Sequence, residues 1–139
     1  MNARRPTRIL LIDDDPEIHL AVRTILEPLG YTVVCYQTAP AGLEAIRQDP
    51  PDLVLLDIML TNPFEGLQVA CEMRRDKALK SIPLILISVI GESIGMEYGR
   101  EVCRDVMSAD MFLEKPFDAE TLRETVECVL EQRASRPDS

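Results

Sequence analysis

Tryptophan is absent from this sequence, and phenylalanine and tyrosine occur only three times each. A surface that stacks on nucleobases needs aromatic faces, so that class of binding is disfavoured. Basic residues are outnumbered, 15 Lys and Arg against 24 Asp and Glu, for a formal charge of −9. An acidic chain repels phosphate backbones, which argues against direct nucleic-acid binding. The one basic stretch, with Arg4, Arg5 and Arg8, reads as a solvated tail. Long hydrophobic runs are lacking too. Charges or prolines interrupt every run well short of the roughly 20 apolar residues of a membrane span. No signal-peptide core stands at the start. The four cysteines, Cys35, Cys71, Cys103 and Cys128, form no CxxC pair. They are expected to be free thiols of a reducing compartment. These absences predict a cytoplasmic protein without a membrane partner.

What is present suits one folded domain. The chain has 139 residues, 46% of them hydrophobic. A chain of that length buries roughly 70% of the surface exposed when unfolded. We expect a tail over 1–7, the domain over 8–133 and a polar tail over 134–139.

Short apolar runs alternate with helical patterns. The runs are Ile9-Leu10-Leu11-Ile12, Thr32 to Tyr36, Leu53-Val54-Leu55-Leu56, Ile82 to Ile87, and a weak fifth, Met111-Phe112-Leu113. Continuous apolarity predicts strands buried on both faces. Asp15-Pro16 predicts the start of a first helix, and Gly30 its stop. Leu20, Ile25, Leu26 and Leu29 are expected to face the sheet from it. Thr38 caps a second helix carrying Leu43 and Ile46. A third is expected after Gly66, with Leu67, Val69, Ala70 and Met73. Asp118 caps the last, with Leu122, Val126, Val129 and Leu130 on one face. Five strands alternating with five helices predict an α/β, doubly wound, parallel three-layer sandwich.

Sites in such sheets form at the carboxyl ends of the strands. There the charged residues become informative. Asp13, Asp14 and Asp15 follow the first strand. Asp57 ends the third, Ser88 the fourth, and Lys115 follows the fifth. Converging carboxylates repel one another and call for a cation or a shared proton. Mg2+ suits hard oxygen ligands. Asp57 is then the candidate nucleophile toward phosphorus, with Lys115 offsetting charge and Ser88 donating a hydrogen bond. Each residue has a plain alternative. Asp14 and Asp15 suit a helix start, Asp57 a turn, Ser88 a cap and Lys115 the surface. Four polar groups at one sheet edge favour the chemical reading. Asp15 is the exception and is expected to cap. His19, the only histidine, is expected to be a surface or packing residue rather than a phosphodonor.

These residues resemble the receiver domain of two-component response regulators. The matching pieces are Ile9-Leu10-Leu11-Ile12-Asp13-Asp14-Asp15, Asp52-Leu53-Val54-Leu55-Leu56-Asp57, Leu86-Ile87-Ser88 and Phe112-Leu113-Glu114-Lys115-Pro116-Phe117. The resemblance implies a flavodoxin-like sheet of order 2-1-3-4-5. It implies phosphotransfer to Asp57 from a histidine kinase or a phosphotransfer protein. It also implies Mg2+ held by Asp13, Asp14, Asp57 and the Met59 backbone carbonyl. Ser88, Lys115 and Phe112 become the switch. The fourth helix, fifth strand and fifth helix become the face for a downstream effector protein or a homodimer. The expected product is a stand-alone response regulator that works as a phospho-acceptor, not a turnover enzyme.

The sequence departs from the family pattern in three places. Pro63 and Gly66 stand later in the loop after Asp57 than is usual. Val89 replaces a small residue after Ser88. The stretch 91–110 is long and holds Gly95 and Gly99, so an irregular fourth helix is expected. Apolar Met59 and Ile90 occupy positions where polar groups in the family help place the hydrolytic water, which predicts slow self-dephosphorylation.

Three rival readings fit the residues less well. An aspartyl-phosphate phosphohydrolase wants a second Asp at position 59, where Met59 stands. A receiver-like module that is never phosphorylated usually lacks an acid or the lysine, and this chain has all of them. Dinucleotide binding lacks its glycine-rich turn after the first strand.

Overall fold

The computed structural model describes residues 6–57, 63–89 and 111–135. Its strands are β1 (Arg8–Ile12), β2 (Thr32–Tyr36), β3 (Leu53–Asp57), β4 (Leu84–Val89) and β5 (Met111–Lys115). Its helices are α1 (Pro16–Leu26), α2 (Ala39–Gln48), α3 (Pro63–Arg75) and α4 (Ala119–Ser135), with a 3-10 turn at Glu27–Leu29. α4 is the helix expected as fifth. The expected fourth helix falls within 90–110, outside the described residues.

All strand pairs are parallel, and the spatial order is β2-β1-β3-β4-β5. This is the order that the resemblance implied. Register follows from burial, because a one-residue slip would exchange the two faces. Leu10, Ile12, Val54, Leu56, Leu84 and Leu86 pack with Leu43, Ile46, Val69, Ala70 and Met73 of α2 and α3. Ile9, Leu11, Leu53, Leu55, Ile85, Ile87 and Leu113 pack with residues of α1 and α4. Both faces are covered, so the central strands carry no polar alternation. Each fully buried Leu or Ile stabilises by about 1.5–3 kcal/mol.

The caps form where expected. Asp15 accepts from the Glu17 N–H at 2.9 Å, and Thr38 from the Ala41 N–H at 3.3 Å. Asp118 accepts from the Thr121 N–H at 2.8 Å, and the Thr121 side chain, then that N–H, lower its carboxyl below the usual value. Gly30 takes φ +101°, which suits a residue without Cβ.

Three expectations need correction. Leu20 and Leu29 do not face the sheet; they are 68% and 48% exposed. The inward stripe of α1 is instead Ile18, Val22, Ile25 and Leu26. That is i, i+4, i+7, i+8 spacing, and Leu20 lies two residues off it. Gly66 does not precede α3 but lies buried within it. Packing there outweighs a propensity cost of about 1 kcal/mol. β4 starts at Leu84, after Ile82 and Pro83.

Gly42 carries a packing role that its sequence context did not show. A Cβ built on it would overlap the Ile12 side chain. α2 therefore lays its backbone against β1, one residue before Asp13. Gly42→Ala should lose about 1–3 kcal/mol through overpacking, despite alanine's better helix propensity. Urea unfolding measures this. An unchanged or raised midpoint would mean that Ile12 moves aside at no cost.

Candidate functional site

The sheet order reverses between β1 and β3, so the helices leaving their carboxyl ends diverge and open a crevice. Asp13 and Asp57 stand there. Ile12 pairs with Leu56, which sets Asp13 beside Asp57. Asp57 pairs with Ile87, and Ile87 with Leu113. Counting by twos from Leu11, Leu55 and Leu113 puts Asp13, Asp57 and Lys115 on the α1/α4 side. Local strand geometry thus aims three side chains at one point.

Asp13 is wholly buried and Asp57 is 2% exposed. Such carboxylates need a counter-charge. Lys115 supplies one: its Nζ lies 2.9 Å from Asp13 Oδ2 and 3.3 Å from Asp57 Oδ2. Burial alone would push the Lys115 ammonium down. The facing Asp13 and Asp57 carboxylates outweigh that, and its pKa is raised. The single ammonium leaves the trio one negative charge in excess. Asp13 Oδ2 is buried, and its contact among the described residues is the 2.9 Å ion pair with Lys115.

Asp14 adds a third carboxylate from the solvent side. Oxygens of Asp13, Asp14 and Asp57 lie within 4.8 Å of one another. Three hard oxygens, one of them buried and facing the Lys115 ammonium, fit a hard cation. Asp15 points elsewhere and caps α1.

Of the other expected residues, Ser88 lies on β4 in register with Glu114. Its hydroxyl, with Met59, Val89's side chain and Ile90, lies outside the described residues. Phe112 does not join the acidic group. It is half-buried against the α2/α3 core. Cys35, Cys71 and Cys128 are free thiols; Cys103 lies outside the described residues. Burial pushes the Cys35 and Cys71 thiols up, away from the reactive thiolate.

His19, expected as a surface or packing residue, meets the acidic turn. Its Nε2 lies 2.6 Å from the Asp13 carbonyl oxygen. The available signal was its place in the first turn of α1, where side chains lean back toward the helix start. A groove of about 330 Å³ opens between α2 and α3 over Leu43 and Val69. None of the three aspartates lines it.

Comparison with known proteins agrees with this architecture. A family profile described as the response regulator receiver domain matches residues 9–127. Protein PilH of Pseudomonas aeruginosa is 32% identical over 124 residues, which is 88% of this chain and 97% of PilH. The transcriptional regulatory protein CseB of Streptomyces coelicolor is 34% identical over 124 residues, 89% of this chain and 49% of CseB. The chain thus spans about half the length of CseB. The crystal structure of the receiver domain of NtrX from Brucella abortus matches with a TM-score of 0.75 and 31% identity, over 88% of this chain and 98% of that one. The signal receiver domain of a histidine kinase from Syntrophus aciditrophicus shares the fold, with a TM-score of 0.81 at 22% identity and 96% coverage of both chains. The matched span runs from β1 into α4 and encloses the whole acidic edge, and the chain belongs to the receiver-domain family of response regulators.

Proposed function

We propose that Asp57 accepts a phosphoryl group from a histidine kinase or a phosphotransfer protein, and that the modified domain switches its binding to a downstream protein or passes the group on in a phosphorelay. The observation that carries this reading is the buried Asp57 carboxylate, 3.3 Å from the Lys115 ammonium and beside Asp13. An Asp57 oxygen attacks phosphorus, the donor's P–N bond breaks as the P–O bond forms, and the departing imidazole takes up a proton. Asp13, Asp14, Asp57 and the Met59 carbonyl would hold Mg2+, which would offset charge on the phosphoryl oxygens. Lys115 already stands where it can follow an Asp57 oxygen onto the phosphoryl group. Ser88 and Phe112 complete the switch.

The phosphoryl group adds nearly two negative charges to a site already rich in them. Such a change biases a packed element with two arrangements. β5 and α4 supply the output face, which serves an effector or a second copy of the chain; the expected fourth helix lies outside the described residues. A formal charge of −9 favours a protein partner over nucleic acid for this domain. The protein acts as a phospho-acceptor in the cytoplasm rather than as a turnover enzyme.

The test is uptake from a small phosphodonor with Mg2+ and with chelator, with the modified residue located by mass spectrometry. Metal-dependent addition of one phosphoryl group at Asp57 supports the reading; addition elsewhere, or none, defeats it. Decay of the product then tests lifetime. Apolar Met59 and Ile90 offer no group to place the hydrolytic water. Met59→Asn with Ile90→Glu should speed decay, by up to about 100-fold, the low end of what positioned acid–base groups contribute. Rapid loss from the parent, unchanged by the pair, would remove this part.

A further inference from the structure

Asp13 offers four polar groups; three are held by hydrogen bonds and the fourth by an ion pair. Its N–H donates to the Tyr36 carbonyl at 3.0 Å. Its Oδ1 accepts from the Asp15 N–H at 2.9 Å. Its carbonyl oxygen meets His19 Nε2 at 2.6 Å. The fourth group, Oδ2, is buried and turned to Lys115 and Asp57. Two of the three holders are backbone groups that many sequences supply. The third is a side chain, and it belongs to the only histidine of the chain.

We infer that His19 is a positioning residue, whose Nε2–H grips the Asp13 carbonyl and so orients the acidic turn toward the metal position. This rests on reading Asp13 and Asp14 as metal carboxylates. The peptide bond is planar, so the Asp13 carbonyl and the Asp14 N–H turn together. Holding that carbonyl fixes the plane from which both carboxylates project. Oδ1 and the carbonyl are then both tied down, and Oδ2 has one direction left. A carbonyl only accepts, so Nε2 must carry the proton.

The placement has structural support. α1 begins at Pro16, capped by Asp15, and Val22 and Leu26 pin it beneath the sheet. His19 therefore projects from a rigid element rather than a loop. Groups that orient metal ligands are worth about 10–100-fold in metal affinity. A packing histidine would change stability alone.

The experiment uses the full chain as wild type, His19→Ala and His19→Gln. Mg2+ dissociation constants come from amide NMR titration, melting points from calorimetry without metal, and the tautomer from imidazole 15N shifts at fixed pH. We expect a protonated Nε2 in the wild type. We expect His19→Ala to weaken Mg2+ binding by about 10-fold, and His19→Gln, which keeps an N–H donor, to recover most of it. Equal affinity in wild type and His19→Ala overturns the role. So does an unprotonated Nε2, or a His19→Gln variant as weak as His19→Ala. Should His19→Ala not fold, the glutamine variant and the tautomer still decide. A wild type that takes no Mg2+ overturns the metal reading and this role with it, whereas Mg2+ binding indifferent to residue 19 overturns the positioning role alone.

Discussion

Asp57→Asn should take up no phosphoryl group and should melt no lower than the parent protein. The two halves of this expectation have separate causes. An amide oxygen is a poor nucleophile toward phosphorus, so removing the carboxylate removes the acceptor. Stability follows from the count of buried charge. Asp13 and Asp57 oppose a single Lys115 ammonium, at 2.9 and 3.3 Å. The substitution leaves one anion and one cation, and asparagine keeps an oxygen for Lys115 to meet. Relief of carboxylate repulsion should contribute on the order of 1 kcal/mol without metal. Mass spectrometry after phosphodonor treatment and a calorimetric melt read the two halves. Uptake that persists in the variant would place the acceptor elsewhere. A clear drop in melting point would mean that Asp57 is held mainly for structure.

Lys115→Met should have the opposite effect on stability. It removes the cation that the described residues set against two carboxylates, one wholly buried and one 2% exposed. Methionine keeps the apolar length of the lysine stem, so packing is largely preserved. What is lost is the counter-charge. Removing one partner of a buried pair costs about 3–5 kcal/mol. The lower end applies, because the Lys115 side chain is itself 16% exposed and water reaches its head. A loss of about 3 kcal/mol lowers the melting point of a domain this size by roughly 10 °C. Mg2+ should restore most of it, since a ligand at 100 times its dissociation constant contributes about 2.7 kcal/mol. The variant should also bind Mg2+ more tightly than the parent, because no ammonium competes for Asp13 Oδ2. A melting point within about 2 °C of the parent without metal would show that the acids do not depend on Lys115. Indifference to Mg2+ would deny that the same acids hold the ion.

The paired variants separate charge from chemistry. Asp57→Asn and Lys115→Met touch the same ion pair, yet the expected stabilities move in opposite directions. Generic damage to the fold would lower both.

Much of the fold is legible along the chain because its strands are buried on both faces. Leu53-Val54-Leu55-Leu56 is continuously apolar, which only a doubly covered strand tolerates. Caps were legible for a similar reason. Asp15, Thr38 and Asp118 satisfy N–H groups two or three residues away, so the signal and its partner share one stretch of sequence. Gly66 looks like a boundary in isolation, yet α3 runs through it and buries Val69, Ala70 and Met73 in the core. Leu20 was misjudged because an apolar residue does not state which way its helix is rotated. The stripe through Val22 and Leu26 settles that.

By itself the sequence determined that Asp13, Asp57 and Lys115 end or follow strands, and that they reach the same edge of a parallel sheet. Alternation along a strand is a local property, so it needs no knowledge of neighbours. What only the tertiary structure decided is how those groups meet. Lys115 divides itself between two acids, one Asp13 oxygen turns to it in a buried ion pair, and α1 returns His19 to the Asp13 carbonyl. Gly42 likewise shows its use only when α2 lies on Ile12. The physical reason is common to all four. Each depends on the distance between atoms of elements far apart in the chain, or on the rotation of a helix about its axis, and composition and spacing encode neither.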